Sequence, residues 1–129
     1  MKNNFISFII ITILMTFFTS CNDKLVRYDG IYYHKEADYT SYLRFYEDGT
    51  IIMTSSVDTI PQIKKWFNKD HKCVSKGKYT ILNDKINFQT ICDVKVDYNG
   101  QIYKNKMILN VCSSNGNKKD NIKYLFKTW

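Results

Sequence analysis

Beyond Gly30 the chain is built from short runs in which apolar and polar residues alternate with a period of two, interrupted by one stretch with a helical period. In SYLRFYEDGTIIMTSSV (residues 41–57), Leu43 and Phe45 alternate with Tyr42, Arg44 and Tyr46, and Ile51, Met53 and Val57 continue one face after the turn. Asp48-Gly49 supplies the positive φ that a tight hairpin turn demands. In GKYTILNDKINFQT (77–90), Asn83-Asp84 is the expected turn, with Tyr79, Ile81, Ile86 and Phe88 sharing a face. A third hairpin is expected in DVKVDYNGQIYKNKMILNV (93–111), where Asn99-Gly100 is the strongest two-residue turn signal of the chain. Pairing across that turn puts Val94, Val96, Tyr103, Met107 and Leu109 on one side. In the last strand, NIKYLFKTW (121–129), Ile122, Tyr124 and Phe126 alternate with Lys123, Leu125 and Lys127.

The helical exception is DTIPQIKKWFNKD (58–70). Asp58 or Thr59 can cap it, Pro61 falls in the first turn, and Ile60, Ile63 and Phe67 follow helical spacing with Trp66 beside them. One short helix is expected across an end of the sheet, with Trp66 packed in the core rather than stacked on a ligand.

Eight strands joined mostly by two- to five-residue turns make an antiparallel meander. The expected fold is mainly β, an eight-stranded up-and-down barrel with an interior filled by side chains or holding one small ligand. Closure removes exposed strand edges. A two-sheet β-sandwich is the alternative. Ten tyrosines and eight phenylalanines suit either arrangement, as strand formers with large buried area.

Ahead of the strands, Lys2 is followed by an apolar run from Phe5 to Phe18 and then by small polar residues, the layout of a secretory signal peptide. Fourteen residues are too few for a comfortable membrane span, which takes about 20. Loss of residues 1–20 leaves 109 of the 129, one domain of ordinary size, with 18 Lys+Arg against 12 Asp+Glu. The surplus of +6 favours anionic surroundings without specifying a partner, and export argues against nucleic acid. The densest basic run, Lys64, Lys65, Lys69, Lys72, Lys76 and Lys78, is interspersed with acidic residues and asparagines and reads as a solvated face.

No residues combine into a catalytic signature. His71-x-Cys73 with Asp70 lacks the second short-spaced pair that a four-ligand zinc site wants, so no metal or cofactor is expected. Serines are plentiful but no nucleophile elbow is present, and Glu36 and Asp38 sit in the polar connection HKEADYT. The chain is therefore expected not to be an enzyme. His34 beside Glu36 or Asp38 in a pocket would reopen the question.

Phe18-Thr19-Ser20-Cys21 resembles the lipobox of bacterial lipoproteins. The resemblance implies cleavage before Cys21, a diacylglycerol thioether on its sulfur and an acylated (palmitate-type) amino group, with Asn22 favouring outer-membrane over inner-membrane attachment. Two or more acyl chains give stable residence on a bilayer, whereas one holds only marginally. The implied organisation is a signal peptide over 1–20, a lipidated tether over 21–29 and the β-barrel domain over 30–129. Cys73, Cys92 and Cys112 then remain in an oxidising compartment. With Asn83-Asp84 as the turn, Ser75 falls opposite Cys92, and Cys73 lies diagonal to it. Diagonal neighbours are about 7–8 Å apart, so a Cys73–Cys92 disulfide needs a bulge, and three separate thiols are the alternative.

Gly30-x-Tyr32 at the start of the first strand, followed by eight short antiparallel strands, is similar to the opening Gly-x-Trp and architecture of lipocalins over residues 30–126. The resemblance implies a binding role for something apolar but carries over no individual ligand-binding residue. The expected function is that of a membrane-anchored envelope lipoprotein binding a small apolar or amphiphilic ligand or an envelope component. A protein-interaction module, an inhibitor or an accessory subunit with an exposed aromatic patch near Trp66 and Phe67, is the alternative.

Overall fold

The computed structural model describes residues 25–72 and 74–129. The signal segment and Cys21 lie outside the described residues, as does Cys73, one half of the expected disulfide. Eight antiparallel strands form a closed barrel in up-and-down order. They are β1 (Gly30–Lys35), β2 (Thr40–Phe45), β3 (Thr50–Ser56), β4 (Ser75–Leu82), β5 (Lys85–Ile91), β6 (Lys95–Ile102), β7 (Lys106–Ser113) and β8 (Lys118–Thr128). Closure comes from β1 pairing with β8, Tyr32 opposite Phe126. The barrel holds, and the sandwich does not.

Alternation works as expected where the turn was assigned correctly. Gly49 has φ 88° and lets Phe45 face Ile51. Asn83, at φ 57°, turns the chain so that Leu82 faces Lys85 and Tyr79 faces Phe88. The inward faces of all eight strands make one core. Phe45 is its hub, with edge-on contacts to Tyr32, Tyr79 and Phe88 at 5.0–5.6 Å, and Phe88 stacks on Tyr98 at 4.5 Å. Aromatic pairs at these separations add about 0.5–1.5 kcal/mol each beyond their area burial.

The third hairpin departs from expectation. Asn99-Gly100 is not a turn but lies inside β6, with Asn99 opposite Asn110 and Gly100 opposite Leu109, and the chain reverses after Ile102, which faces Met107. Val94 is exposed and Tyr103 lies past the strand end, so neither shares the buried face of Met107 and Leu109. Gly100 is needed for close approach, because a Cβ there would overlap the Ile108 carbonyl oxygen of β7. Glycine at an inward strand position lets a barrel wall bend sharply.

One short helix forms in the expected stretch but in a different place. It comprises α1 (Ile60–Ile63) and a 3₁₀ turn (Lys64–Trp66), with Thr59 at the N-cap making no side-chain capping bond. It lies on the outer wall, not across an end. Ile63, Phe67 and Val74 cover Ile31, Tyr42 and Ile52, the outward residues of β1–β3, in a second apolar cluster with Trp66 and Trp129 at its margin. Tyr42 therefore turns away from the core yet is buried.

Candidate functional site

The two ends of the barrel are closed to different degrees. At the end holding the β2–β3, β4–β5 and β6–β7 turns, residues 25–29 fold under the barrel as a floor. Val26 is buried in the core, with Leu25 and Tyr28 packed against it. Polar bonds fix this floor at its edges. Arg27 spans Asp29 at 2.7 Å and Asn105 at 3.0 Å, its guanidinium stacks 4.0 Å from the Phe126 ring, and its backbone N–H donates to the Tyr32 hydroxyl. The Tyr28 and Tyr79 hydroxyls lie 3.1 Å apart, and Tyr79 donates to the Tyr46 carbonyl. Of the stretch assigned to a tether, residues 25–29 are thus folded against the base.

At the opposite mouth the inward series changes character. On β2 it runs Phe45, Leu43, Ser41; on β3, Ile51, Met53, Ser55; on β7, Leu109, Val111, Ser113. Large side chains fill the barrel, and serines at the same end of three strands leave it hollow. The result is a cup of ≈ 190 Å³. Its apolar wall is Met53, Val96, Val111 and Ile122, Tyr98 and Tyr124 rise into it from the core, and Glu36, Tyr39, Asn117 and Lys119 stand at the rim. A volume of this size matches about six waters of bulk liquid. Drug-sized ligands occupy clefts of about 300–1,000 Å³, so this cup suits something smaller.

Burial raises the Tyr98 and Tyr124 phenols above their ordinary value, keeping both neutral donors. The Tyr124 hydroxyl lies 3.1 Å from Ser41 Oγ, a bond that partly offsets the rise. Thr90, fully buried beneath the cup and not part of its lining, lies beside the Tyr98 phenol and partly offsets its rise, but makes no hydrogen bond of good geometry among the described residues. An unpartnered buried hydroxyl costs about 1–3 kcal/mol. At the rim Lys119 Nζ lies 2.8 Å from Glu36 Oε1, holding the carboxyl below and the ammonium above their ordinary values.

His34 does stand beside Glu36, with Nε2 3.5 Å from Oε1. Its other nitrogen, Nδ1, is 3.0 Å from the Lys123 carbonyl. Although His34 and Ser41 are cross-strand partners, both imidazole nitrogens are thus directed elsewhere, and the serine hydroxyl pairs with Tyr124. The arrangement does not form a serine–histidine relay, which needs nucleophile and base in contact.

Other residues singled out by sequence fall away from the cup. Phe67 is buried and Trp66 half-buried in the outer cluster, Trp66 edge-on to His71, so neither forms an exposed aromatic patch. Five of the six lysines of the basic run meet groups within the fold: Lys64 lies over Trp129, Lys65 over Trp66, Lys69 on Asp48, Lys76 on the Lys69 carbonyl and Lys78 on Thr50. Cys92 and Cys112 are both exposed, Cys92 just past β5 and Cys112 within β7. Among the described residues no cluster of three His, Cys, Asp or Glu side chains can hold a metal ion. Asp38 is exposed in the β1–β2 connection.

Comparison with known proteins finds no matching family model, curated protein or solved structure. No ligand-binding residue follows from motifs in the sequence, and the cup has no motif of its own. Its signal was present: on three strands the inward series ends in serine on the same side of the barrel.

Proposed function

We propose that this chain is a lipid-anchored, lipocalin-like binding protein of the bacterial cell envelope, non-enzymatic, whose barrel mouth takes a small amphiphilic molecule. The cup carries the reading. Its wall is apolar, while the neutral phenols of Tyr98 and Tyr124 and the hydroxyl of Ser41 offer hydrogen bonds to a polar group lowered inside. The rest of the interior is filled by Leu43, Phe45, Ile51 and Phe88, so a long acyl chain has no room and the ligand is compact.

Lipidation at Cys21 fits this arrangement. Four residue steps separate Cys21 from Leu25, at most about 14 Å of extended chain. The base would then rest close to an outer-membrane surface and the mouth would open away from it, toward solutes rather than toward lipid.

Native mass spectrometry of protein purified from membranes tests the ligand. A co-purifying small molecule is expected on the wild type and absent from Ser55→Phe, which fills the cup from its exposed rim. A wild type with nothing bound, and no small amphiphile retained on incubation, overturns the carrier reading. Labelling with a clickable fatty acid tests the anchor separately, since unchanged labelling in Cys21→Ala removes it.

The interaction-module reading draws on a different observation. Val57 (83% exposed), Tyr39 and Val94 project from connections at the mouth end and Ile91 (53%) from the adjoining end of β5, and an apolar rim of this kind suits docking on an envelope protein. Val57→Asp with Ile91→Asp would abolish such docking and leave the ligand in place.

A further inference from the structure

The outer wall of β5–β8 carries a second feature, independent of the cup. Asn87 is opposite Asn99, and Asn99 is opposite Asn110. The Asn110 Oδ1 accepts the backbone N–H of Asn121 at 3.0 Å, where β8 is displaced by a bulge and Asn121 takes φ 56°. Four asparagines from four neighbouring strands therefore form one row, about 14 Å long at the usual strand spacing. Gln101 and Tyr103 flank it, the tyrosine hydroxyl donating to Gln101 Oε1 at 3.0 Å. The row floors a shallow depression of ≈ 510 Å³, although the outside of a barrel is normally convex.

The composition of this depression argues against a merely solvated wall. Asparagine is depleted in strand interiors, where threonine or lysine would serve solubility better. Local propensity is violated most often where function demands it. In a chain of net charge +7, Lys85 is the one charged residue lining the depression. Each amide offers two donors and a carbonyl acceptor. Among the described residues the side-chain amides of Asn87 and Asn121 make no hydrogen bond within the protein, and Asn110 holds Asn99 only loosely, at 3.5 Å.

We infer that this asparagine row is a binding face for a neutral oligosaccharide. Paired donors and acceptors at regular spacing match vicinal hydroxyls, a lining with Lys85 as its one charged residue disfavours phosphate or uronate, and the half-exposed Tyr103, with the Lys106 ammonium 5.0 Å over its ring, leaves the ring edge to a sugar ring. The depression is open and shallow, so several rings would lie along it rather than enter it.

Isothermal titration of the full-length protein with cello-, xylo-, manno-, malto- and chitohexaose, each to about 10 mM to reach the millimolar affinities expected of open faces, tests this. At least one sugar should bind saturably, Asn87→Ala/Asn99→Ala should weaken it by about tenfold or more, and Ser55→Phe should leave it unchanged. Restoring amides with Asn87→Gln/Asn99→Gln should recover part of the affinity. Three results overturn the inference: no saturable binding by any of the five sugars, binding lost in Ser55→Phe but kept in the double alanine variant, or tighter, salt-dependent binding of heparin at the same face.

Discussion

Lys119 and Glu36, 83 positions apart in the chain, meet at 2.8 Å across the mouth of the barrel and tie the start of β8 to the end of β1. Both side chains are substantially exposed, so Coulomb attraction is screened and the pair is worth at most about 1 kcal/mol. Its pH dependence has a definite sign. Lys119 lowers the Glu36 pKa in the folded state, so the carboxylate's contribution is present above the unfolded value of about 4.3 and is lost as pH falls through the folded value. Asp29, held by Arg27, and Asp48, held by Lys69, act in the same direction. Urea midpoints measured from neutral pH downward should fall below about pH 4 in the wild type, and Lys119→Ala should show a shallower fall.

Gly100 and Gly49 predict losses of different size and cause from the same substitution. Alanine at Gly49 meets open space but must hold φ 88°, which costs about 1–2 kcal/mol. At Gly100 the added methyl overlaps backbone atoms of Ile108 and Leu109, which move only with the sheet, and the cost should reach about 2–3 kcal/mol. Chemical denaturation of the two variants checks the order. If Gly100→Ala proves the milder, the close approach of β6 and β7 at Gly100 is wrong.

That pair also shows how much of the fold was legible. Period-two alternation and the Asp48-Gly49 and Asn83-Asp84 turns lead to a barrel with Leu43, Phe45, Ile51, Met53, Tyr79, Ile86 and Phe88 inward on β2–β5, whereas Val57 lies past the end of β3 and is exposed, as is Ile81 near the β4–β5 turn. Asn99-Gly100 has the composition of a hairpin turn, but sequence does not distinguish a glycine chosen for positive φ from one chosen for missing volume. Read as a turn, Asn99 has no cross-strand partners, so its register with Asn87 and Asn110 is invisible in the sequence pattern. The helix was legible as a helix, but its seat on the outer wall depends on Ile31, Tyr42 and Ile52 being apolar on the outward face. Strict alternation treats that face as solvent.

Val26 ties the segment ahead of β1 to the core. It is 3% exposed, so truncation to alanine should cost about 1–3 kcal/mol, more than any substitution in an unstructured leader would. Loss of the floor should also raise the exposure of Tyr28 and Tyr79, whose hydroxyls meet there. Denaturation of Val26→Ala, with hydrogen exchange at the base of β4, measures both. A variant as stable as the wild type would mean that residues 25–29 do not close the barrel.

The phenols give a test of the mouth at the opposite extreme of pH. Burial raises the pKa of Tyr32, Tyr46, Tyr79, Tyr98 and Tyr124, five of the ten tyrosines. A raised folded-state pKa means stability fully present below the unfolded value of about 10 and lost as pH rises through the folded value. Tyrosinate absorbance should therefore show a late, second stage from these five rings, set by the opening of the barrel and absent in guanidinium. Tyr98→Phe should remove one late-ionising ring while keeping its stack on Phe88. Ligand in the cup should delay the second stage further, because a molecule bound only to the folded form stabilises it by RT ln(1 + [L]/Kd). Single-stage ionisation near pH 10 in a barrel still folded by circular dichroism would mean that Tyr98 and Tyr124 are open to solvent, and the neutral donors assigned to the cup would be lost with them.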